Sequence, residues 1–162
     1  MNPSYFRIRR PQESAITALA AERKSARPEL VETTFSKAIE LAVTPAGSWR
    51  LPALFIYGRD SWTVFYDLAG SFSARPAESW LKFAGQDEFI FAGYNDAIGY
   101  GELIVIREGR IVREFLEDQS DPNHTRIDRG SWNISIESWG DVESFVDEDV
   151  FSFSENGLLW IG

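Results

Sequence analysis

The sequence predicts an α+β fold in which an antiparallel β-sheet of about five or six strands packs with helices and follows an N-terminal helical portion. Apolar side chains recur at helical spacing within residues 1–50, whereas short β-rich runs separated by turn residues dominate residues 51–162. The chain has 162 residues, of which 44% are hydrophobic, and this is enough for one sizeable core. We therefore expect a single domain that spans residues 1–162.

Two helices are expected in the N-terminal portion. The first covers residues 12–25, and the second begins at Pro28, which suits the first turn of a helix, and ends near the proline and glycine of residues 44–47. The side chains expected to be buried are Ile16, Leu19 and Ala20 in the first helix and Val31, Phe35, Ala38, Ile39 and Ala42 in the second.

β-Branched and aromatic residues then predict two strands, at residues 53–57 and 62–68, which a short turn joins into a hairpin. Pro76 is placed to open a short helix, and Gly85 is placed to end that helix with a left-handed cap. Residues 88–93 follow as another strand of the same sheet.

A second hairpin is expected within residues 100–117, with its turn at residues 108–109. A two-residue loop predicts the pairs Arg107 with Arg110, Val105 with Val112, and Ile104 with Arg113. Both sides of the first arm are apolar over residues 103–106, so we expect a central strand that is covered on both faces, in part by the helices. Glu102 would lie diagonal to Arg113 and pair with it.

The last part of the chain predicts a loop, a helix and the closing strand. Residues 118–129 are polar and are expected to form an exposed loop. A final helix starts at Ser138, where Ser138 and Asp141 fit a capping box. The side chains expected to close the sheet are those of Phe151, Phe153 and residues 158–161.

The charge is divided unevenly along the chain. Residues 1–50 carry eight basic and five acidic side chains and residues 51–162 carry eight and twenty, so a segment of formal charge +3 precedes one of −12. The negatively charged segment attracts cationic surfaces and repels phosphates. We therefore expect a basic protein partner and no nucleic acid. The basic residues that can pair with the acidic body instead of an outside ligand are Arg7, Arg9, Arg10, Arg23, Lys24 and Arg27.

Several classes of protein are disfavoured by composition. Cysteine is absent, which removes disulfides and thiolate chemistry and agrees with a reducing compartment. Residues 1–10 are basic but no apolar signal region follows them, and no run approaches the ~20 apolar residues of a membrane span. We therefore expect a cytoplasmic protein with no membrane association. No P-loop or G-x-S-x-G sequence is present, and we expect no cofactor and no metal.

No catalytic constellation stands out. His124 is the only histidine, and a polar loop histidine is a more frequent case than a catalytic base. Glu114, Glu117 and Asp118 are close in sequence, and paired carboxylates with separated pKa values serve in hydrolases. Twenty acids within one segment produce such pairs by chance, however, so a solvated surface is the favoured interpretation. We expect no enzyme activity.

Three segments have the composition of a protein interface. Residues 94–102 combine two tyrosines, two glycines and acids after a strand. Residues 117–121 would form an acidic rim beyond the second hairpin. Residues 147–149 place three carboxylates where the last helix should end, and the helix dipole gives that end a partial negative charge that repels them. Carboxylates are unfavourable at the C-terminal end of a helix, so their presence there marks a functional surface, unless the helix ends a turn earlier.

Parts of the sequence resemble a known class of proteins. The segments concerned are YGRDSWTVF at residues 57–65, FAGYND at residues 91–96, YGEL at residues 100–103 and REF at residues 113–115. With these segments, residues 53–117 and 139–149 resemble small acidic immunity proteins encoded beside bacterial toxins. The resemblance implies a cytoplasmic antitoxin that binds and sterically blocks one toxin effector, delivered by a contact-dependent route such as type VI secretion. It implies no catalytic residues.

The expected partner is thus a cognate toxin with a basic active-site surface, which an acidic inhibitor can occlude. Two alternatives stay open, namely a carboxylate-based hydrolase with or without a divalent metal, and a regulatory module that binds a basic protein. The side chains expected to contact the partner are Asp60, Trp62, Tyr94, Asp96, Tyr100, Glu102, Glu117, Asp118, Asp121, Asp147, Glu148 and Asp149.

Overall fold

A computed structural model of the protein describes residues 4–24 and 28–162, and it confirms an α+β fold. The strands are β1 Ser4–Ile8, β2 Leu30–Thr34, β3 Ala53–Arg59, β4 Trp62–Asp67, β5 Phe89–Asn95, β6 Tyr100–Arg107, β7 Arg110–Asp118, β8 Arg126–Gly130 and β9 Asn156–Ile161. The helices are α1 Gln12–Glu22, α2 Phe35–Ala42, α3 Leu81–Ala84 and α4 Trp139–Glu148. The strands form one antiparallel sheet in the order β2-β9-β3-β4-β1-β5-β6-β7-β8, which has more strands than the five or six predicted.

The N-terminal portion is only partly helical, because it also supplies the middle strand of the sheet. All five residues of β1 are buried, and β1 pairs with β4 on one side and β5 on the other. Its side chains alternate between the two faces, so that Phe6 and Ile8 join one core while Tyr5 joins the other. Arg7 concealed this strand in the sequence, since a charged side chain is uncommon in a central position.

The helix expected from Pro28 begins later than predicted. Residues Leu30–Thr34 instead form the edge strand β2, where Val31 is 40% exposed and not part of a buried stripe. The β-branched residues of this run favour an extended backbone. Thr34 then caps α2, because its hydroxyl accepts a hydrogen bond from the backbone N–H of Lys37 at 3.3 Å. The predicted helix over residues 12–25 is confirmed as α1, although Ser25 lies outside the described residues.

The two predicted hairpins are confirmed, but the register of the second differs by one residue. A β-bulge between Val105 and Ile106 places Val105 opposite Arg113, and Ile104 opposite Glu114. Only the pair next to the turn, Arg107 with Arg110, keeps its predicted partner. Glu102 consequently lies opposite Leu116, and the expected pairing of Glu102 with Arg113 is wrong.

The C-terminal third contains one more strand than expected. Residues 126–130, predicted as loop, form the edge strand β8, whose polar side chains suit a half-exposed edge of the sheet. The capping box of Ser138 and Asp141 is confirmed at the start of α4. Strand β9 inserts between β2 and β3, whereas Phe151 and Phe153 precede it and lie outside the sheet. The short helix after Pro76 is also confirmed and ends at Gly85, whose φ is 57°.

The sheet separates two apolar cores. On the side that we call the α1 face, α1 and α3 cover side chains such as Phe65 and Phe91. On the other side, the α4 face, α2 and α4 cover side chains such as Phe55, Leu103 and Phe115. The sheet is thus the middle layer of three, and strand β6 is covered on both sides as the sequence predicted.

Helix α4 approaches strand β6 at a glycine. A Cβ atom added to Gly101 would lie 2.6 Å from the Cα atom of Trp139, which is closer than real Cβ atoms approach. Gly140, in the first turn of α4, has no such contact, since its added Cβ would meet only the Ser138 hydroxyl at 3.7 Å. The seating of α4 on the sheet therefore depends on a missing side chain at residue 101.

We expect Gly101→Ala to lower the free energy of unfolding by ~1–3 kcal/mol, because α4 must move away from the sheet. Gly140→Ala should leave stability unchanged or raise it by up to ~1 kcal/mol, since alanine is the better helix former. Urea denaturation of both variants checks these two predictions. Equal effects of the two substitutions would contradict the close contact at Gly101.

Candidate functional site

The negative charge of the protein is concentrated on the segment that carries α4. Residues 131–162 contain seven acidic and no basic side chains. The four acids Glu137, Glu143, Asp147 and Glu148 lie in α4 or just before it, are exposed or half-exposed, and form no ion pair with a described residue. We call these four side chains the acidic surface. On the opposite face of the sheet, two basic residues are paired with acids: Lys82 contacts Glu22 at 3.1 Å and Arg10 contacts Asp87 at 2.6 Å.

The end of α4 is tied to the middle of the sheet by a buried ion pair. Asp149 accepts hydrogen bonds from Arg7 at 3.1 Å, from the Tyr5 hydroxyl, and from the backbone N–H of Phe151 at 3.2 Å. The Arg7 guanidinium also lies over the rings of Trp62, at 4.8 Å, and Phe151, at 4.2 Å. Burial, followed by the Asp149 carboxylate, holds the pKa of Tyr5 well above its usual range. Asp149 is therefore engaged inside the protein.

The other two carboxylates at this end of α4 point outward. Asp147 accepts a hydrogen bond from the Tyr94 hydroxyl at 2.9 Å, and Glu148 is exposed. Partial burial and this bond raise the pKa of Tyr94 to about 12. The helix continues through Glu148, so the alternative in which it ends a turn earlier is wrong. Tyr94 and Asp147, 53 residues apart in sequence, thus lie together at the acidic surface.

Two of the expected contact residues, Asp60 and Trp62, lie at the β3–β4 hairpin. Asp60 is exposed at its turn and has a positive φ of 53°. Trp62 is only 7% exposed and packs against Phe151 and the two arginines Arg7 and Arg9. The indole therefore supports the buried ion pair from within, and only Asp60 is freely accessible.

Tyr100 and Glu102 lie in the interior, on the α1 face. They are 8% and 2% exposed, and the Tyr100 hydroxyl donates to the Glu102 carboxylate at 2.7 Å. The backbone N–H of Ala74 donates to the same carboxylate oxygen at 2.9 Å. Burial raises the pKa of Glu102 from its ordinary 4.5 to about 7, against the two hydrogen bonds that lower it. These two side chains fasten the loop at Ala74 to the sheet.

Glu117 and Asp118 end strand β7, and Asp121 lies in the loop that follows. Glu117 accepts a hydrogen bond from the backbone N–H of Trp139 at 2.7 Å, which suits a carboxylate at the positive end of a helix. Asp118 and Asp121 organise the loop itself by accepting backbone N–H bonds from Ser120 and Asn123. The loop contacts the turn that carries Asp96 through a backbone hydrogen bond from Gln119 to Gly99 at 3.2 Å. The side chain of Asp96 is exposed there.

The carboxylates that would serve a hydrolase are divided between the two faces of the sheet. Glu114 faces the α1 side, where it pairs with Arg129, whereas Glu117 faces α4. His124 is exposed and distant in sequence from both. Within residues 4–24 and 28–162, no group of three or more His, Asp or Glu side chains is arranged to hold a metal ion.

A groove of about 540 Å³ runs beside α4 on the α4 face, and we call it the α4 groove. Its lining includes Arg7, Trp132, Ile134, Phe145, Glu148 and Val150. A larger depression, of about 670 Å³, lies between α1 and β2, but side chains such as Ile16 and Leu158 make it mainly apolar. The α4 groove is the one that adjoins the acidic surface.

The sequence prediction missed the α4 groove, which is lined by residues within 132–150 and by Arg7 of the central strand. Ile134 and Val150 are 38% and 67% exposed, and neither was expected to contact a partner. One signal was available: no basic residue follows Arg129, and these apolar residues flank the acidic helix on either side. That pattern could have identified residues 131–150 as an acidic segment with exposed apolar side chains.

No protein-family model, no curated protein and no solved structure matches this chain. Among the described residues, none of the helices is both long and apolar enough to cross a membrane.

Replacing Glu102 with glutamine should remove a pH dependence of stability. Since the folded chain binds the Glu102 proton more tightly than the unfolded chain, wild-type stability should fall as the pH rises from 4.5 through about 7. Glutamine keeps an acceptor for Tyr100 and Ala74 without the buried charge. The stability advantage of Glu102→Gln should therefore grow to ~3 kcal/mol at pH 8.

Urea denaturation at several values between pH 5 and pH 8 checks this prediction. The exposed Glu155→Gln variant, which makes the same chemical change, serves as the control and should follow the wild type. A constant difference between Glu102→Gln and wild type across this range would show that burial does not hold the Glu102 proton.

Proposed function

We propose that this protein is an immunity protein, an antitoxin that binds one cognate toxin and neutralises it by covering a basic active-site surface. The observation that carries the proposal is the acidic surface at α4, which forms no ion pair with a described residue, whereas basic side chains such as Arg7, Arg10 and Lys82 are paired within the fold. A surface of this kind steers a cationic partner toward it and opposes phosphate-bearing ligands.

The acidic surface is held rigidly, which favours tight binding. Its helix is capped by Ser138 and Asp141, seated on Gly101 and anchored through Asp149 to the central strand. A preformed surface loses less conformational entropy when a partner binds than a flexible loop does. Inhibition by occlusion needs such rigidity, because the inhibitor must compete with the substrate of the toxin.

The residues expected to contact the partner fall into two groups according to their accessibility. We assign the accessible residues to the partner surface, and the interior residues support that surface. The accessible members are Asp60, Tyr94, Asp96, Asp118, Asp121, Asp147 and Glu148, and the interior or bonded members are Trp62, Tyr100, Glu102, Glu117 and Asp149.

The two alternatives have less support. A hydrolase needs two carboxylates on one accessible site, but Glu114 and Glu117 lie on opposite faces, and Asp118 accepts hydrogen bonds from Ser120 and Asp121 of its own loop. A regulatory module for a basic protein would use the same acidic surface. It differs from an antitoxin in one measurable respect, namely that its partner keeps its activity when bound.

Co-expression with the product of the neighbouring gene tests the proposal. We expect that product to be toxic alone and harmless with the wild-type protein. The triple variant Glu143→Lys, Asp147→Lys, Glu148→Lys should lose protection, because three charges on the acidic surface change sign and the net charge there rises by six units. It should also slow association at low salt by tenfold or more, since steering raises on-rates by ~10- to 1,000-fold.

A matched control carries the same change of charge elsewhere. Glu29, Glu32 and Glu155 are exposed and lie outside α4, so their triple replacement by lysine should still protect. If both triple variants protect equally, the acidic surface is not the interface. If no neighbouring product is toxic, or if the protein neither binds nor neutralises it, the antitoxin function is wrong. A bound partner that keeps its activity would favour the regulatory module.

A further inference from the structure

Two arginines on the α1 face share one small pocket without a counter-charge. Arg23 caps the C-terminal end of α1, and Arg75 lies in the segment between β4 and α3. With Ser71 and Phe72 they line a pocket of about 320 Å³, which we call the arginine pocket. Neither arginine forms an ion pair or a hydrogen bond with a described residue. Both are accessible to a ligand, since Arg23 is exposed and Arg75 is half-exposed.

Aromatic rings hold the two guanidinium groups in place. The Cζ atoms of Arg23 and Arg75 lie 5.4 Å and 5.6 Å from the centroid of the Phe72 ring. Arg75 also lies over Trp80, with its Cζ atom 4.5 Å from the ring centroid. Both rings are 1% exposed and belong to the core of the α1 face, so they are fixed supports. The arginine pocket therefore exists before any ligand binds.

The two positive charges are close enough to affect each other. Burial, followed by the charge of Arg23, lowers the pKa of Arg75. Glu22 lines the same pocket and opposes this shift, but it is already paired with Lys82 at 3.1 Å. Asp67, beside the pocket, is fully buried and accepts a backbone hydrogen bond within its own loop at 2.8 Å. An anion between the two arginines would relieve their repulsion.

The helix dipole explains only one of these arginines. The negative end of the α1 dipole favours a cation at Arg23. Arg75 belongs to no helix, and its guanidinium is nevertheless brought to the same pocket. Other arginines of this face have acidic partners, as Arg10 has in Asp87 and Arg129 in Glu114. The pair in the arginine pocket is thus an excess of positive charge on a chain whose net charge is −9.

The chemistry of two guanidinium groups selects a phosphate. Each group presents parallel N–H donors that match two oxygens of one phosphate or carboxylate. A phosphate monoester carries a charge of about −1.5 to −2 at neutral pH and three acceptor oxygens, whereas a carboxylate carries a single charge. The volume of 320 Å³ lies at the lower end of the ~300–1,000 Å³ of small-molecule pockets, which suits a small ligand.

We infer that the arginine pocket binds a phosphate group through Arg23 and Arg75, with the exposed Ser71 at its rim. The sheet separates this pocket from the acidic surface, which lies on the α4 face. A bound phosphate would connect the end of α1 to the segment that carries Arg75. The inference goes beyond the proposed function, because the toxin has no part in it.

Phosphate titrations of the full-length protein test the pocket. The backbone amide resonances of Ser71 and Phe72 are followed in ¹⁵N-labelled protein at pH 7.5 and constant ionic strength. The ligands are inorganic phosphate, acetyl-phosphoserine-amide and acetate. We expect the two phosphates to shift these resonances to saturation and acetate to bind at least ~10-fold more weakly, because it brings less charge and fewer acceptors. Tighter binding of acetyl-phosphoserine-amide would assign the pocket to a phosphorylated protein, and tighter binding of inorganic phosphate to the free ion.

Matched variants show whether the two arginines carry the binding. Arg23→Gln should weaken phosphate by ~10-fold or more, since it removes hydrogen bonds from a charged donor. Arg75→Lys keeps the charge but loses the planar fork, and it should weaken phosphate by ~3-fold or more. Arg110→Gln serves as the control, because it removes an exposed arginine outside the pocket and should bind phosphate like the wild type.

Three results would overturn the inference: shifts that rise with phosphate concentration without saturation, equal affinity for acetate and phosphate, or equal effects of Arg23→Gln and Arg110→Gln. None of them depends on a toxic neighbour. A failed titration would leave the antitoxin function standing, and a failed co-expression would leave the phosphate site standing.

Discussion

The structure depends on a charged side chain at the centre of its sheet. Arg7 lies on the middle strand, where burial of an unpaired guanidinium would cost several kcal/mol. Asp149 removes most of that cost by pairing with the guanidinium. The rings of Trp62 and Phe151 pack against the guanidinium, and the Tyr5 hydroxyl donates a hydrogen bond to the carboxylate. The pair therefore imposes one position on the C-terminal end of α4, because any other position leaves Arg7 without a counter-charge.

A second buried arginine fixes the other end of the same segment. Arg113 lies in the same row of the sheet as Arg7, separated from it by Ile90 and Val105 and thus by ~14 Å. Its guanidinium donates to the backbone carbonyl of Ile136 at 2.7 Å and pairs with Asp128 at 2.8 Å. Residues 131–149 are thus held near both ends, and the α4 groove opens within the segment that these two arginines position.

Local patterns in the sequence were enough to predict the hairpins, the short helix after Pro76 and the capped helix α4. Strand β8 pairs with the adjacent strand β7, and it was missed because its residues are mostly polar and exposed. The strands β1 and β2 were missed because each depends on a distant partner: Arg7 reads as a surface residue until Asp149, 142 residues away, is placed beside it. The same limit applies to the site. Composition predicted an excess of acidic side chains, but burial of Glu102 and engagement of Asp149 follow from tertiary contacts that no short window of sequence contains.

The uneven charge along the chain has a different meaning once the structure is known. Arg7, Arg9 and Arg10 pair with Asp149, Glu88 and Asp87, so much of the basic N-terminal segment is neutralised within the fold; Arg27 lies outside the described residues.

What remains is a local negative field at α4, and such a field governs the rate and orientation of encounter more than the lifetime of a complex. A lasting complex requires desolvated contacts at the centre of the interface. The α4 groove places exposed apolar side chains such as Ile134 and Val150 beside the acids, and in the proposed complex the groove and the acids would form one interface.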